Sequence, residues 1–79
     1  MTENEFIGVI ESGGDIMFDC NGKHYTLLIW TDEPIYIAEQ KTEENEAEFE
    51  TIEDLMEHYM IGGKPLKERV NEIKITFRT

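Results

Sequence analysis

Cys20 and His24 are the side chains of this sequence best suited to chemistry, and they flank the dipeptide Asn21-Gly22. A thiol beside an imidazole can be a nucleophile with its base, or two ligands of a metal. If the dipeptide is a turn, the two could face each other across a hairpin. Their separation matches no zinc or protease spacing, however, and two ligands are too few for a closed zinc site. His58, the other histidine, falls on the polar side of a helical pattern and is expected in solvent. A general acid needs an apolar pocket to raise its pKa. No glutamate between positions 43 and 57 sits in such a stretch, and Asp19 should point away from its neighbours Phe18 and Cys20. Gly13-Gly14 and Gly62-Gly63 belong to no phosphate-binding loop. Residues 43–50 lack the Asp-x-Asp spacing and central glycine of an EF-hand. These residues predict no enzyme and no cofactor or metal. A small enzyme or ligand binder using Cys20 and His24 is the minor alternative.

The acids carry the stronger signal. The net charge is −11, and it is unevenly placed. Residues 32–57 hold eleven acids against Lys41 alone, while residues 58–79 hold two acids and five bases. Direct binding to nucleic acid or to an anionic membrane is disfavoured, because phosphates would be repelled. A basic protein partner is favoured. Glu46, Glu48 and Glu50 alternate, so an extended backbone would project them from one face about 6–7 Å apart. Glu53, Asp54 and Glu57 would continue the array on a helix, where i and i+4 neighbours lie about 5–6 Å apart. With Glu39, Glu43 and Glu44 these make a candidate partner-binding surface that mimics a nucleic-acid backbone. The alternative is that these charges form a solvated loop and helix face that only keeps the chain soluble. Trp30, Tyr25 and Tyr36 suit a partner surface too, although packing in a small core is their commoner use.

The elements that must position these residues follow from periodicity. Residues 6–11 (FIGVIE) are β-branched and apolar and predict a strand. Residues 15–20 alternate, with Ile16, Phe18 and Cys20 on one face. Asn21-Gly22 favours a type I′ hairpin leading into residues 23–30, which are apolar on both faces and predict a central strand. Residues 35–40 predict a fourth strand, residues 41–47 an exposed loop, and residues 48–51 an extended piece with Phe49 inward. Ile52, Leu55, Met56, Tyr59 and Met60 form an amphipathic helical stripe. Thr51 is its N-cap and Asp54 lies at the capping-box position. Gly62-Gly63 is expected to stop this helix. Pro65 opens a short helical turn over residues 66–71. Residues 73–78 alternate as a last strand, with Ile73, Ile75 and Phe77 inward.

The fold class is therefore α+β: an antiparallel β-meander of about four strands, one amphipathic helix plus a short helical turn, and a C-terminal strand. A length of 79 residues suits a single domain over positions 1–79. One cysteine allows no internal disulfide, and the N-terminus lacks the basic start and apolar run of a signal peptide. Both predict a cytoplasmic protein. No apolar run is long enough to span a membrane.

Phe49, Thr51, Glu53, Asp54 and Leu55, followed by Ile61, Gly63, Lys64, Leu66, Lys67 and Glu68, form a further pattern. It resembles small uncharacterised bacterial and mobile-element proteins in which an early hairpin precedes an F-x-[ST]-x-E-[DE]-L helix. The resemblance covers about a quarter of the chain and implies the fold order and a phage or mobile-element origin. It implies no activity. The functional expectation is an acidic protein–protein interaction module that regulates or inhibits a basic, nucleic-acid-binding partner. The alternative is a homodimer, formed through an exposed sheet edge or the face the helix leaves uncovered, with a structural or small-ligand-binding role.

Overall fold

In the computed structural model, which describes residues 1–40 and 45–79, the first element is a helix. It is α1 (Glu3–Glu11), where residues 6–11 predict a strand. Two local causes favour helix. Thr2 and Glu5 close a capping box: the Glu5 N–H donates to Thr2 Oγ1 at 3.2 Å, and the Thr2 N–H donates to Glu5 Oε1 at 2.9 Å. Phe6 and Ile10, one turn apart, are both fully buried, so the apolar residues serve a helical stripe rather than an alternating one.

The meander follows as β1 (Gly14–Cys20), β2 (Lys23–Ile29), β3 (Ile35–Glu39) and β4 (Ala47–Phe49). Asn21 (φ 53°) and Gly22 (φ 77°) take the left-handed pair of values that a type I′ turn requires. Next come α2 (Ile52–His58), the two-residue strands β5 (Met60–Ile61) and β6 (Lys64–Pro65), two 3₁₀ turns (Leu66–Glu68 and Val70–Glu72) and β7 (Lys74–Arg78). The main sheet is antiparallel with order β4-β3-β2-β1-β7. The fold is α+β, with a meander and a C-terminal strand beside β1. The strand predicted to be central, β2, is central.

Thr51 caps α2 as expected, its Oγ1 accepting from the Asp54 N–H at 3.1 Å. The helix ends at His58, before the glycines, because Tyr59 is already extended (φ −77°, ψ 118°). Gly62 (φ 59°) and Gly63 (φ 83°) instead form the two-residue turn joining β5 to β6. A Cβ at Gly62 would lie 2.6 Å from Asn21 Nδ2 and 2.8 Å from Arg69 Nη2, so both side-chain ends would have to move, and the left-handed φ itself favours glycine. Arg69 holds this hairpin, donating from Nε to the Ile61 carbonyl at 2.9 Å and from Nη2 to the Gly62 carbonyl at 3.0 Å. Met60 consequently leaves the helical stripe and is half exposed.

The strict alternation predicted for the last strand breaks at Thr76. Ile75 pairs with Phe18 and Phe77 with Met17, so Thr76 is an extra, bulged residue. Ile73 and Ile75 face inward as expected. Phe77 does not: the bulge turns it outward, where it is 46% exposed.

Phe6 and Ile10 of α1 and Leu55 and Met56 of α2 pack on one face of the sheet, against Ile16, Phe18, Tyr25, Leu27 and Ile37. Aromatic rings link this layer. Phe6 meets Phe18 edge-on at 5.6 Å, Phe18 stacks on Tyr25 at 5.3 Å, and Tyr25 meets Tyr59 edge-on at 6.2 Å. Among the described residues no helix lies over the other sheet face. Among the described residues no helix is long and apolar enough to cross a membrane.

Candidate functional site

The register of the β1–β2 hairpin decides the fate of the Cys–His pair. His24 pairs with Asp19, and Cys20 pairs with Lys23. Neighbouring positions on a strand point to opposite faces. Cys20 therefore enters the core, 2% exposed, with its Sγ 3.9 Å from the Arg69 carbonyl. Burial, with Glu72 nearby, pushes its thiol pKa up, and Arg69 only partly opposes this. His24 points outward and contacts the Asp19 carboxylate through Nδ1. The expected encounter of thiol and imidazole across the turn does not occur. A buried thiol with a raised pKa is a poor nucleophile. His58 is exposed at the end of α2. Among the described residues no three His, Cys, Asp or Glu side chains are grouped to hold a metal ion.

The acids predicted to share one surface divide instead among three environments. Glu39 is only 8% exposed. It pairs with Lys23 Nζ at 3.1 Å and accepts from Asn45 Nδ2 at 3.4 Å. It also hydrogen-bonds Tyr25, whose own pKa is pushed up to about 12, chiefly by burial and then by the Glu39 charge. Glu39 is thus a structural anion inside the sheet.

Glu46, Glu48 and Glu50 lie along β4 and its flanks, all exposed. Glu48 pairs with Tyr36 across the β3–β4 ladder, and Glu46 Oε2 accepts from the Tyr36 hydroxyl at 2.9 Å. These acids border the uncovered sheet face.

Glu53 and Glu57 project from α2 on the other side of the molecule, one helical turn apart. Asp54 is half-buried in the first turn of the same helix. Glu43 and Glu44 lie outside the described residues.

Glu53 and Glu57 meet two acids that the sequence reading left out. A groove of about 550 Å³ runs between α1 and α2, lined by Glu3, Ile7 and Glu11 from α1 and by Ile52, Glu53, Met56 and Glu57 from α2, with Lys67 at one side. Spacings of four residues put Glu3, Ile7 and Glu11 on one side of α1. The same spacing aligns Ile52 with Met56 and Glu53 with Glu57. The α1 wall is mixed, with Ile7 in one row between Glu3 and Glu11, and on α2 the row of Ile52 and the almost fully buried Met56 lies beside that of Glu53 and Glu57. Lys67 approaches Glu57 at 4.0 Å and, among the described residues, is the one cation lining the groove. Reading residues 6–11 as a strand hid this wall. The Thr2-x-x-Glu5 capping box was the signal that would have found it.

No protein-family model, curated protein or solved structure matches this chain.

Proposed function

We propose that this protein is an interaction module that binds a basic segment of a protein partner in the groove between α1 and α2. The observation that carries the reading is that Glu3, Glu11, Glu53 and Glu57 line one groove together with Ile7, Ile52 and Met56. Carboxylates alone would be a solvated surface. Carboxylates interleaved with apolar side chains match an amphipathic partner with alternating basic and apolar residues. The partner class that fits is a nucleic-acid-binding protein, whose basic surface this chain would occupy in place of phosphates. Association would be fast and strongly weakened by salt. The acidic array differs from the one anticipated along residues 39–57, because it is built from two helices rather than from one continuous segment.

The test uses a fluorescently labelled basic amphipathic peptide and its anisotropy at low and high salt. Two variants of equal charge are compared: Glu3→Gln/Glu11→Gln/Glu53→Gln/Glu57→Gln, and Asp32→Asn/Glu50→Gln/Glu68→Gln/Glu72→Gln, whose carboxylates lie outside this groove and outside the one beside Trp30. The groove variant should lose about tenfold or more in affinity, and the second should lose far less. Equal losses in both would mean that the peptide senses only net charge, and the groove would have no special role.

A further inference from the structure

The uncovered face of the sheet offers a second surface with different chemistry, with an aromatic pair towards the end of β2. Trp30 is 57% exposed, yet its ring is held in place: Nε1–H donates to Asp15 Oδ1 at 3.0 Å. Tyr36 is held similarly by the hydrogen bond of its hydroxyl to Glu46. Each ring thus has an anionic acceptor at its polar end, which favours a cation over its face. Between them lies a groove of about 320 Å³ lined by Leu28, Trp30, Glu33, Pro34, Tyr36 and Glu48. The lining has two carboxylates and, among the described residues, no lysine or arginine.

We propose that this groove receives an arginine side chain presented by an exposed segment of another protein. The guanidinium stacks on the Trp30 indole, and its N–H edges bond Glu33 and Glu48. The chemistry favours arginine over lysine. A planar, weakly hydrated guanidinium can stack and bond carboxylates at once, whereas a compact ammonium stays strongly hydrated. It also favours a foreign segment over a second copy of this chain. Two copies with a net charge of −11 each would have to bring the acids of this face together. The site is separate from the groove between the helices and does not depend on it.

The chain has one tryptophan, so its emission reports directly on this groove. The probe is a short labelled peptide with a single arginine. Its companions carry lysine or citrulline, the neutral isostere, at that position. The arginine peptide should shift Trp30 emission, and citrulline should weaken binding about tenfold or more, with lysine in between. Trp30→Ala and Glu33→Gln/Glu48→Gln should each weaken binding to a similar degree by anisotropy. Glu68→Gln, at an exposed carboxylate outside both grooves, should leave it unchanged. Should Trp30→Ala fail to fold, the double glutamine variant keeps the ring and decides. The proposal is overturned by equal affinity for the arginine and citrulline peptides. It is also overturned by a Trp30 emission shift that follows protein concentration without peptide, which would mean that a second copy covers this face.

Discussion

The two faces of the five-stranded sheet are made by the same strands and have opposite fates. The inner face carries Ile16, Phe18, Tyr25, Leu27 and Ile37, each at most 2% exposed beneath α1 and α2. The outer face carries Leu28, Tyr36 and Met17 half-buried, with Trp30 and Phe77 largely exposed. Hydrophobicity alone does not separate them, since both have aromatic and aliphatic residues. What separates them is the covering layer and where carboxylates stand. The packed face has Glu39 at its margin, neutralised by Lys23. The open face keeps Asp15, Glu46 and Glu48 beside its aromatic rings. A small fold with two short helices can cover one side of a sheet and leave the other without a helical layer.

The sharpest way to break this contrast is a pair of matched truncations. Phe18→Ala, inside, should cost about 3–5 kcal/mol, while the total stability of a chain this long is only about 4–12 kcal/mol. Phe77→Ala, outside, should cost under about 1 kcal/mol. Urea unfolding followed by far-UV circular dichroism measures both. Similar losses would mean that the outer face is covered in solution.

A smaller effect concerns the helix that covers the inner face. Thr2→Ala opens the capping box of α1 and should lower stability by about 1 kcal/mol. The Thr2 backbone N–H holds the Glu5 carboxyl below its ordinary pKa of 4.5, and the Thr2 hydroxyl adds to this. A depressed folded-state pKa means that the contribution is present above the unfolded value and is lost as pH falls through the folded one. Alanine keeps the backbone N–H, so only the hydroxyl's share of this effect is lost, and the gap between wild type and Thr2→Ala, read from denaturation midpoints, should narrow slightly in acid. A gap independent of pH would show that the hydroxyl acts through the Glu5 N–H alone.

The smallest effect at neutral pH lies in the one polar defect of the packed face. The Tyr59 hydroxyl is buried with no hydrogen-bond partner among the described residues. Tyr59→Phe should be neutral or stabilising by up to about 1 kcal/mol. Burial raises the Tyr59 pKa well above its ordinary value of 10.0, with the nearby Tyr25 and Glu39 adding to the shift. Stability linked to this group is complete below the unfolded value and falls as pH rises beyond it. The variant should therefore gain on wild type above pH 10, and thermal melts across that range would show it. A variant that melts lower at neutral pH would place an unseen partner on the hydroxyl.

Much of this architecture is readable from local pattern. The Asn21-Gly22 turn, the burial of Ile16, Phe18 and Cys20, the central place of β2 and the Thr51 cap all follow from short-range rules. The errors have a common origin. Residues 6–11 satisfy a strand's preference for Ile and Val and a helix's spacing at once, and the box formed by Thr2 and Glu5 just before them settles the matter. Gly62-Gly63 can end a helix or turn a hairpin, and Arg69, bonded to the Ile61 and Gly62 carbonyls, holds the hairpin. Phe77 obeys alternation until pairing with β1 inserts an extra residue. Glu39 looks like its acidic neighbours until its register beside Tyr25 puts it next to Lys23. In each case the deciding partner is distant in the chain or is itself misassigned.

The extra residue at Thr76 acts like a frameshift in a two-letter code. Upstream of it, odd-numbered positions of the last strand belong to the interior; downstream, Phe77 belongs to the solvent. No change of side-chain chemistry is needed for that reassignment, only a count. At this point in the chain, gaining or losing one residue would rewrite which aromatic the outer surface displays, more completely than substituting any single side chain there.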